Sequence, residues 1–338
     1  MKKLVSGMLA LVLGAATVCA VTACNDSYET YTVYAPDGAP ALALANAVQE
    51  EGEGENFDFR IVDSSTIAAQ VQGETPNADF CILPVNAAAK FLGTGETYQM
   101  LGTVTNGNMY LLTTGENPVI TSENLSSLVG KTVGVVQLAN VPGLTLQAVL
   151  KANHIAYQTL GNDAQSAADK VNLKAIADAS SGVTPAGGCD YYLCPEPAAS
   201  AKLRGTASSA NPFKAAGSLQ ELYGENGYPQ AVLVAKKTVI DSDSEAVGKM
   251  IEYMNGSDEY LAAASAEDVV NVLADCYTDG LEPSLNAKTL TKEVIENCSV
   301  YFTAAQDCKE RVNAFLAELI DVNPEFTTTV SDSFYYAG

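Results

Sequence analysis

Short apolar strands alternate with small-residue helices twice along this chain, and the second series restarts after the first has ended. Elements of this length in this order close mostly parallel sheets covered by helices, so the repeat limits the fold more than any other feature. In the first series Thr30 to Ala35 reads as a strand and Pro36-Asp37-Gly38 turns it into a helix over Ala39 to Glu50. Phe57 to Val62 is the next strand, with a short helix ending at Val71. Ala78 to Leu83 is continuously apolar, which suits a strand buried on both faces. Asn86 to Leu92 is helical, and strands Met100 to Val104 and Met109 to Thr113 flank Asn106-Gly107-Asn108. The second series has a short helix over Ser122 to Leu128, then strand Lys131 to Gln137 and helix Leu144 to Ala152. Strand Ile155 to Leu160, helix Ala164 to Ala179 and strand Asp190 to Leu193 follow, and Pro195-Glu196-Pro197 opens a helix to Leu203. Ala231 to Ala235 is the last clear strand, and everything after Ser242 is helical in pattern. Two α/β units and a helical tail are the expected organisation.

The first 24 residues stand outside that pattern. Lys2 and Lys3 precede an apolar run from Leu4 to Val21, and small residues lead into Cys24. The run is marginal for a membrane span of about 20 apolar residues, and its small-residue exit suits a processing site. Residues 1–23 therefore read as a secretory leader. Val21-Thr22-Ala23-Cys24 resembles the lipobox of bacterial lipoproteins, which implies that Cys24 carries a lipid and becomes the mature N-terminus. The expected location is extracytoplasmic, anchored to the bacterial cell membrane.

The formal net charge is −22, and losing Lys2 and Lys3 with the leader takes it to −24. No basic patch runs along the chain, which excludes nucleic acid as a partner. It also leaves the lipid, not electrostatics, to hold the protein at an anionic membrane. Beyond the leader and Cys24 stand Cys81, Cys189, Cys194, Cys276, Cys298 and Cys308. In an exported protein six cysteines permit three disulfides, and the local pairs Cys298–Cys308 and Cys189–Cys194 are the expected bridges if any forms. Their spacing and a single histidine, His154, argue against a metal site, and no cofactor is expected.

In open α/β sheets ligands bind beyond the carboxyl ends of the strands. The strand exits here supply Asp37, Gly38, Ala39 and Pro40, then Ser64 and Ser65, then Pro84 and Asn86, then Asn106 and Asn108 with Tyr110 beside them. The second series supplies Gln137, Asn140 and Pro142, then Glu196. These exits are rich in amides, hydroxyls and exposed backbone N–H groups, and poor in groups that do chemistry. Helix capping explains any one of them. Six polar exits divided between two units form a candidate site for a small molecule.

The segment Ala78-Asp79-Phe80-Cys81-Ile82-Leu83-Pro84-Val85-Asn86-Ala87-Ala88-Ala89 resembles the strand–loop–helix of solute-binding proteins in the sulfonate, nitrate, taurine and thiamine-precursor group. So does Thr105-Asn106-Gly107-Asn108-Met109-Tyr110-Leu111, where a Trp often precedes the Gly-Asn pair; this chain has Asn106 there and no Trp at all. Leu128-Val129-Gly130-Lys131-Thr132-Val133-Gly134-Val135 is similar to the phrase that opens the second lobe of such proteins. Asp190 to Pro197 and Tyr228 to Val234 continue the likeness in order, and Phe334-Tyr335-Tyr336 closes it. The resemblance implies a two-lobed type II periplasmic-binding-protein fold with its helical C-terminal tail packed on the first lobe. The first lobe would take 24–112 and 236–338, and the second 113–235. It implies a monomer that delivers a small ligand to an ABC transporter permease.

Only three arginines occur, Arg60, Arg204 and Arg311, and none falls in a strand-exit loop, which disfavours a ligand carboxylate. Two ligand readings stay open. Backbone N–H groups at Gly38-Ala39 and Val141-Pro142-Gly143 could hold a sulfonate, with Ser64, Ser65 and Asn86 assisting. A heterocycle such as a thiamine-type pyrimidine could instead pair with Glu196 and Asp37 and stack on Tyr34, Tyr110 or Tyr191. The acidic charge favours the heterocycle. A catalyst is not expected: one histidine at a helix end gives no Ser-His-Asp arrangement, and no phosphate-binding or dinucleotide motif follows a strand. The alternatives are an exported sensory or interaction lipoprotein of the same fold, and an enzyme of the futalosine menaquinone route, which shares it.

Overall fold

The computed structural model describes residues 30–338 except 53, 55 and 162–164. The leader and Cys24 lie outside the described residues. Twelve strands form two six-stranded sheets. They are β1 (Tyr31–Pro36), β2 (Phe57–Val62), β3 (Phe80–Pro84), β4 (Tyr98–Thr105), β5 (Met109–Thr113) and β6 (Thr132–Val136). The rest are β7 (Tyr157–Leu160), β8 (Val171–Ile176), β9 (Tyr191–Pro195), β10 (Lys214–Ser218), β11 (Ala231–Lys236) and β12 (Val300–Ala304). The first sheet runs β12-β4-β11-β3-β1-β2 and the second β10-β5-β9-β6-β8-β7. In each, parallel strands meet an antiparallel strand brought in from a crossing between lobes, β11 against β3 and β5 against β9, and in the first sheet β12 also runs antiparallel to β4.

Local chemistry explains the strand positions. Residues 80–83 are wholly buried in β3, as a continuous apolar run requires between two helical layers. At the sheet edge β2 places Asp58 and Arg60 outward, a paired charge that discourages a further strand from adding there. The helix Ala305–Val322 buries Ala305, Cys308, Val312, Phe315, Leu316 and Leu319, a helical stripe that packs on β4 and also on the helix Val141–Ala152 of the second lobe.

Five expectations need correction. Strand β5 joins the second sheet and β11 the first, so the crossings lie at residues 106–108 and 219–230 rather than at 112/113 and 235/236. Apolar runs do not say which sheet they enter. Gly107 marks where the crossings touch: its φ is 101°, and a Cβ would stand 2.9 Å from the Tyr228 ring. Second, of the segment Ala164 to Ala179 expected as a helix, residues 165–178 are not helical but contain β8. The sheet leaves a slot between β6 and β7, and pairing there overrides the helical propensity of the alanines. Buried Asn172 holds that strand's start, accepting from Gln158 and Ala167 and donating to the Lys131 carbonyl. Third, the tail is not entirely helical, since β12 pairs with β4. Fourth, Cys298 and Cys308 are free thiols buried in two different cores. Fifth, Cys189 and Cys194 are also free: Cys194 lies buried within β9 and Cys189 stands two residues before that strand begins, so the extended stretch between them keeps the thiols apart. His154 sits just past the helix Val141–Ala152 with φ 56°, its N–H bonded to the Lys151 carbonyl, as a helix terminator.

Candidate functional site

A cleft of about 870 Å³ opens where the carboxyl ends of both sheets face each other, within the range of small-molecule sites. From the first sheet, β1 contributes Asp37, Gly38, Ala39 and Pro40, β2 contributes Asp63, Ser64 and Ser65, and β3 contributes Pro84 and Asn86. From the second, β6 contributes Gln137, Asn140 and Pro142, and β9 contributes Glu196. Asn108 comes from the crossing. Thirteen of the fifteen candidate ligand-binding residues therefore share one cleft.

Asn106 and Tyr110 do not line it. Asn106 is buried between the crossing and the tail, donating to the Tyr301 carbonyl and accepting from Arg311. The Tyr110 hydroxyl donates to the Asn297 carbonyl, and burial, then the nearby Glu196 carboxylate, push its phenol up. Tyr34 is taken up by Arg60 and Tyr191 by the Pro118 carbonyl, so none of the three tyrosines lines the cleft.

The cleft carboxylates are answered by the protein itself. Asp37 accepts from the Gly38 and Ser284 N–H groups and from the Ser284 and Tyr277 hydroxyls. This ties the end of β1 to the tail segment, and burial, then the Asp37 charge, raise the Tyr277 phenol. Gly38 has a φ of 101°, which lets the chain leave β1 sharply enough for that contact. Glu196 is 3% exposed and accepts from the Ser200 N–H and hydroxyl and from Asn297 Nδ2. Asp63 takes the Ser65 N–H and hydroxyl. Asp178 caps the turn after β8, and the Ser180 and Ser181 donors hold its carboxyl well below the usual range. Asp37 and Glu196 thus each already accept several of the protein's own donors within the cleft.

Several features join the lobes across this space. Gln137 Nε2 donates to Ser64 Oγ at 3.1 Å, and Gln137 holds a left-handed φ of 58°. A non-glycine residue in that region is strained, and such strain is concentrated at functional sites. Arg204 of the second lobe donates to the Lys288 and Thr289 carbonyls of the tail.

The sequence reading missed Lys90, Phe91, Ser180, Gln230, Ser284 and Phe326 among the lining residues. Lys90 and Phe91 lie a turn or more into a helix, beyond any strand exit. Ser180 follows the strand that was read as a helix. Ser284 and Phe326 come from the tail, where no sequence pattern points at the cleft. The tail segment carrying Phe326 is fastened to the helix Val85–Leu92 by Asn86 Nδ2 on the Phe326 carbonyl and Lys90 Nζ on the Glu325 carbonyl.

No protein-family model matches the sequence, and no curated protein does. Solved structures do match the fold. An ABC transporter structure from Parabacteroides distasonis is 17% identical with a TM-score of 0.67, covering 91% of this chain and 99% of that one. The periplasmic aliphatic sulphonate binding protein SsuA from Escherichia coli is 14% identical with a TM-score of 0.60, covering 91% and 92%. The alkanesulfonate-binding protein SsuA from Xanthomonas axonopodis pv. citri, bound to MOPS, is 15% identical with a TM-score of 0.56, covering 89% and 95%. The class defined by sheets and cleft is the two-lobed type II periplasmic-binding fold. Within it the fold of this chain is similar to those of the SsuA structures from both organisms.

Proposed function

We propose that this chain is the extracytoplasmic, lipid-anchored solute-binding component of an ABC importer, a binder and not a catalyst. It closes its two lobes on one small organic molecule and presents the closed form to a permease. The observation that carries this is the cleft itself: strand exits from both sheets line the same 870 Å³. A ligand touching both lobes has differential affinity for the closed state and so selects it. Among the described residues the lobes are 30–105 with the tail and β11, and 109–218.

Mass spectrometry of what co-purifies, followed by small-angle scattering of stripped and reloaded protein, tests the reading. The radius of gyration is expected to fall on reloading; identical curves with a tightly bound compound would overturn closure. Co-purification with a permease separates the transporter reading from a sensory lipoprotein. Cys24→Ser is expected to release the protein from the membrane fraction, because stable anchoring requires the lipid chains carried there. Unchanged fractionation would place the anchor elsewhere.

A further inference from the structure

Among the described residues the chain passes between the lobes only at 106–108 and 219–230, and these two crossings are bonded to each other. The Tyr228 N–H donates to the Asn106 carbonyl at 3.2 Å. The Met109 N–H donates to Gln220 Oε1 at 3.0 Å, and Gln230 Nε2 donates to Asn108 Oδ1 at 2.7 Å. Gly227, with a φ of 60°, lets the two backbones meet: a Cβ there would stand 2.1 Å from the Asn106 carbonyl oxygen. Two separate connections could each bend alone. Two crossings fastened in this way must bend together.

One side chain of the tail reaches both. Arg311, on the helix Ala305–Val322, donates from Nη1 to Asn106 Oδ1 at 3.0 Å and from Nη2 to the Asn226 carbonyl at 2.6 Å. Asn106 is 2% exposed, and its Nδ2 donates to the Tyr301 carbonyl, which keeps Oδ1 turned toward the guanidinium. A planar fork suits two acceptors at a fixed separation, which the single point charge of a lysine cannot match. A few residues further along the crossings stand Asn108 and Gln230, bonded to each other and both lining the cleft. Arg311 itself does not line it.

Resting on the closure reading, we propose that Arg311 is a positioning residue for solute capture. By bracing both crossings against the tail helix it sets how far the lobes stand apart, and it holds the Asn108–Gln230 pair in place in the cleft. It acts through the hinge and touches no solute. Without the brace the crossings open locally more often, and the resting protein stands wider open. Asn106, which the sequence offered as a ligand contact, serves here as the acceptor that Arg311 grips.

Hydrogen exchange and small-angle scattering test this on protein stripped of bound compounds. The Tyr228 and Gln230 amides donate to the Asn106 and Thr105 carbonyls. In Arg311→Ala both are expected to exchange about tenfold faster, as loss of bonds to a charged donor predicts, while the amides of β3 and β6 keep their wild-type rates. The radius of gyration of the stripped variant should exceed that of the stripped wild type. Arg311→Lys can restore one of the two bonds and should fall between them; it also carries the test if Arg311→Ala does not fold. Unchanged exchange at Tyr228 and Gln230, or an equal rise in β3 and β6, would assign Arg311 to general stability and overturn the inference. So would a radius of gyration equal to that of the wild type. Wild-type scattering that is identical before and after a bound compound is removed would count instead against closure itself.

Discussion

Phe315→Ala is expected to lower the free energy of unfolding by about 3–5 kcal/mol, the usual range for deleting a fully buried aromatic side chain. Phe315 is wholly buried on the long tail helix, its ring 5.5 Å from that of Tyr223 and 5.7 Å from that of Tyr228. Tyr223 and Tyr228 both belong to the crossing at 219–230, so the cavity would open where the tail helix meets that crossing. Two rigid rings that also pack on each other cannot both relax into it, which places the cost toward the upper end. Urea denaturation checks this: the midpoint should fall with the slope unchanged. A loss below about 1 kcal/mol would show that the helix simply closes onto its partners.

Glu51→Gln is the second large effect, about 2 kcal/mol at neutral pH from weakened bonds to a charged acceptor. Glu51 is 8% exposed, accepting from the Asn56 N–H and side-chain amide on one oxygen and from Lys249 and the Tyr253 hydroxyl on the other. Burial alone would raise its carboxyl, but these bonds outweigh burial and hold it below the ordinary value. A lowered folded value contributes stability above the unfolded carboxyl range of about 4.3 and loses it as pH falls through the folded value. The gap between wild type and Glu51→Gln should therefore be widest at neutral pH and close on acidification. The exposed side of Lys249 leaves its Coulombic share screened, so added salt should change the gap little. A gap that stays constant down to pH 3 would assign the effect to packing.

The sheets and most of the cleft were legible because buried parallel strands carry continuous apolar runs and because ligand sites follow strand ends. Residues such as Ser64, Asn86 and Gln137 are read directly from those two rules. What escaped was set by tertiary pairing. The small residues around β8 suit a helix, and only the neighbours β6 and β7 make the segment extended. β12 is five residues between helices, too short for periodicity to separate it from them. The exchange of β5 and β11 between sheets leaves no local mark. Asp37 and Glu196 were identified by position but not by role, since their partners Ser284, Tyr277 and Asn297 lie about 100 residues or more away.

The insertion of β11 between β3 and β4 also has a bearing on synthesis. All strands of the second sheet fall within residues 109–218, whereas β3 and β4 of the first share no pairing until residues 231–236 have been made. On the ribosome the half of the vessel encoded later is complete first, and the half encoded earlier waits for it. Phe326, joined to Asn86 across 240 residues of sequence, is later still. An unfinished chain thus has a lobe but no chamber, and no solute can serve as a template for its early folding.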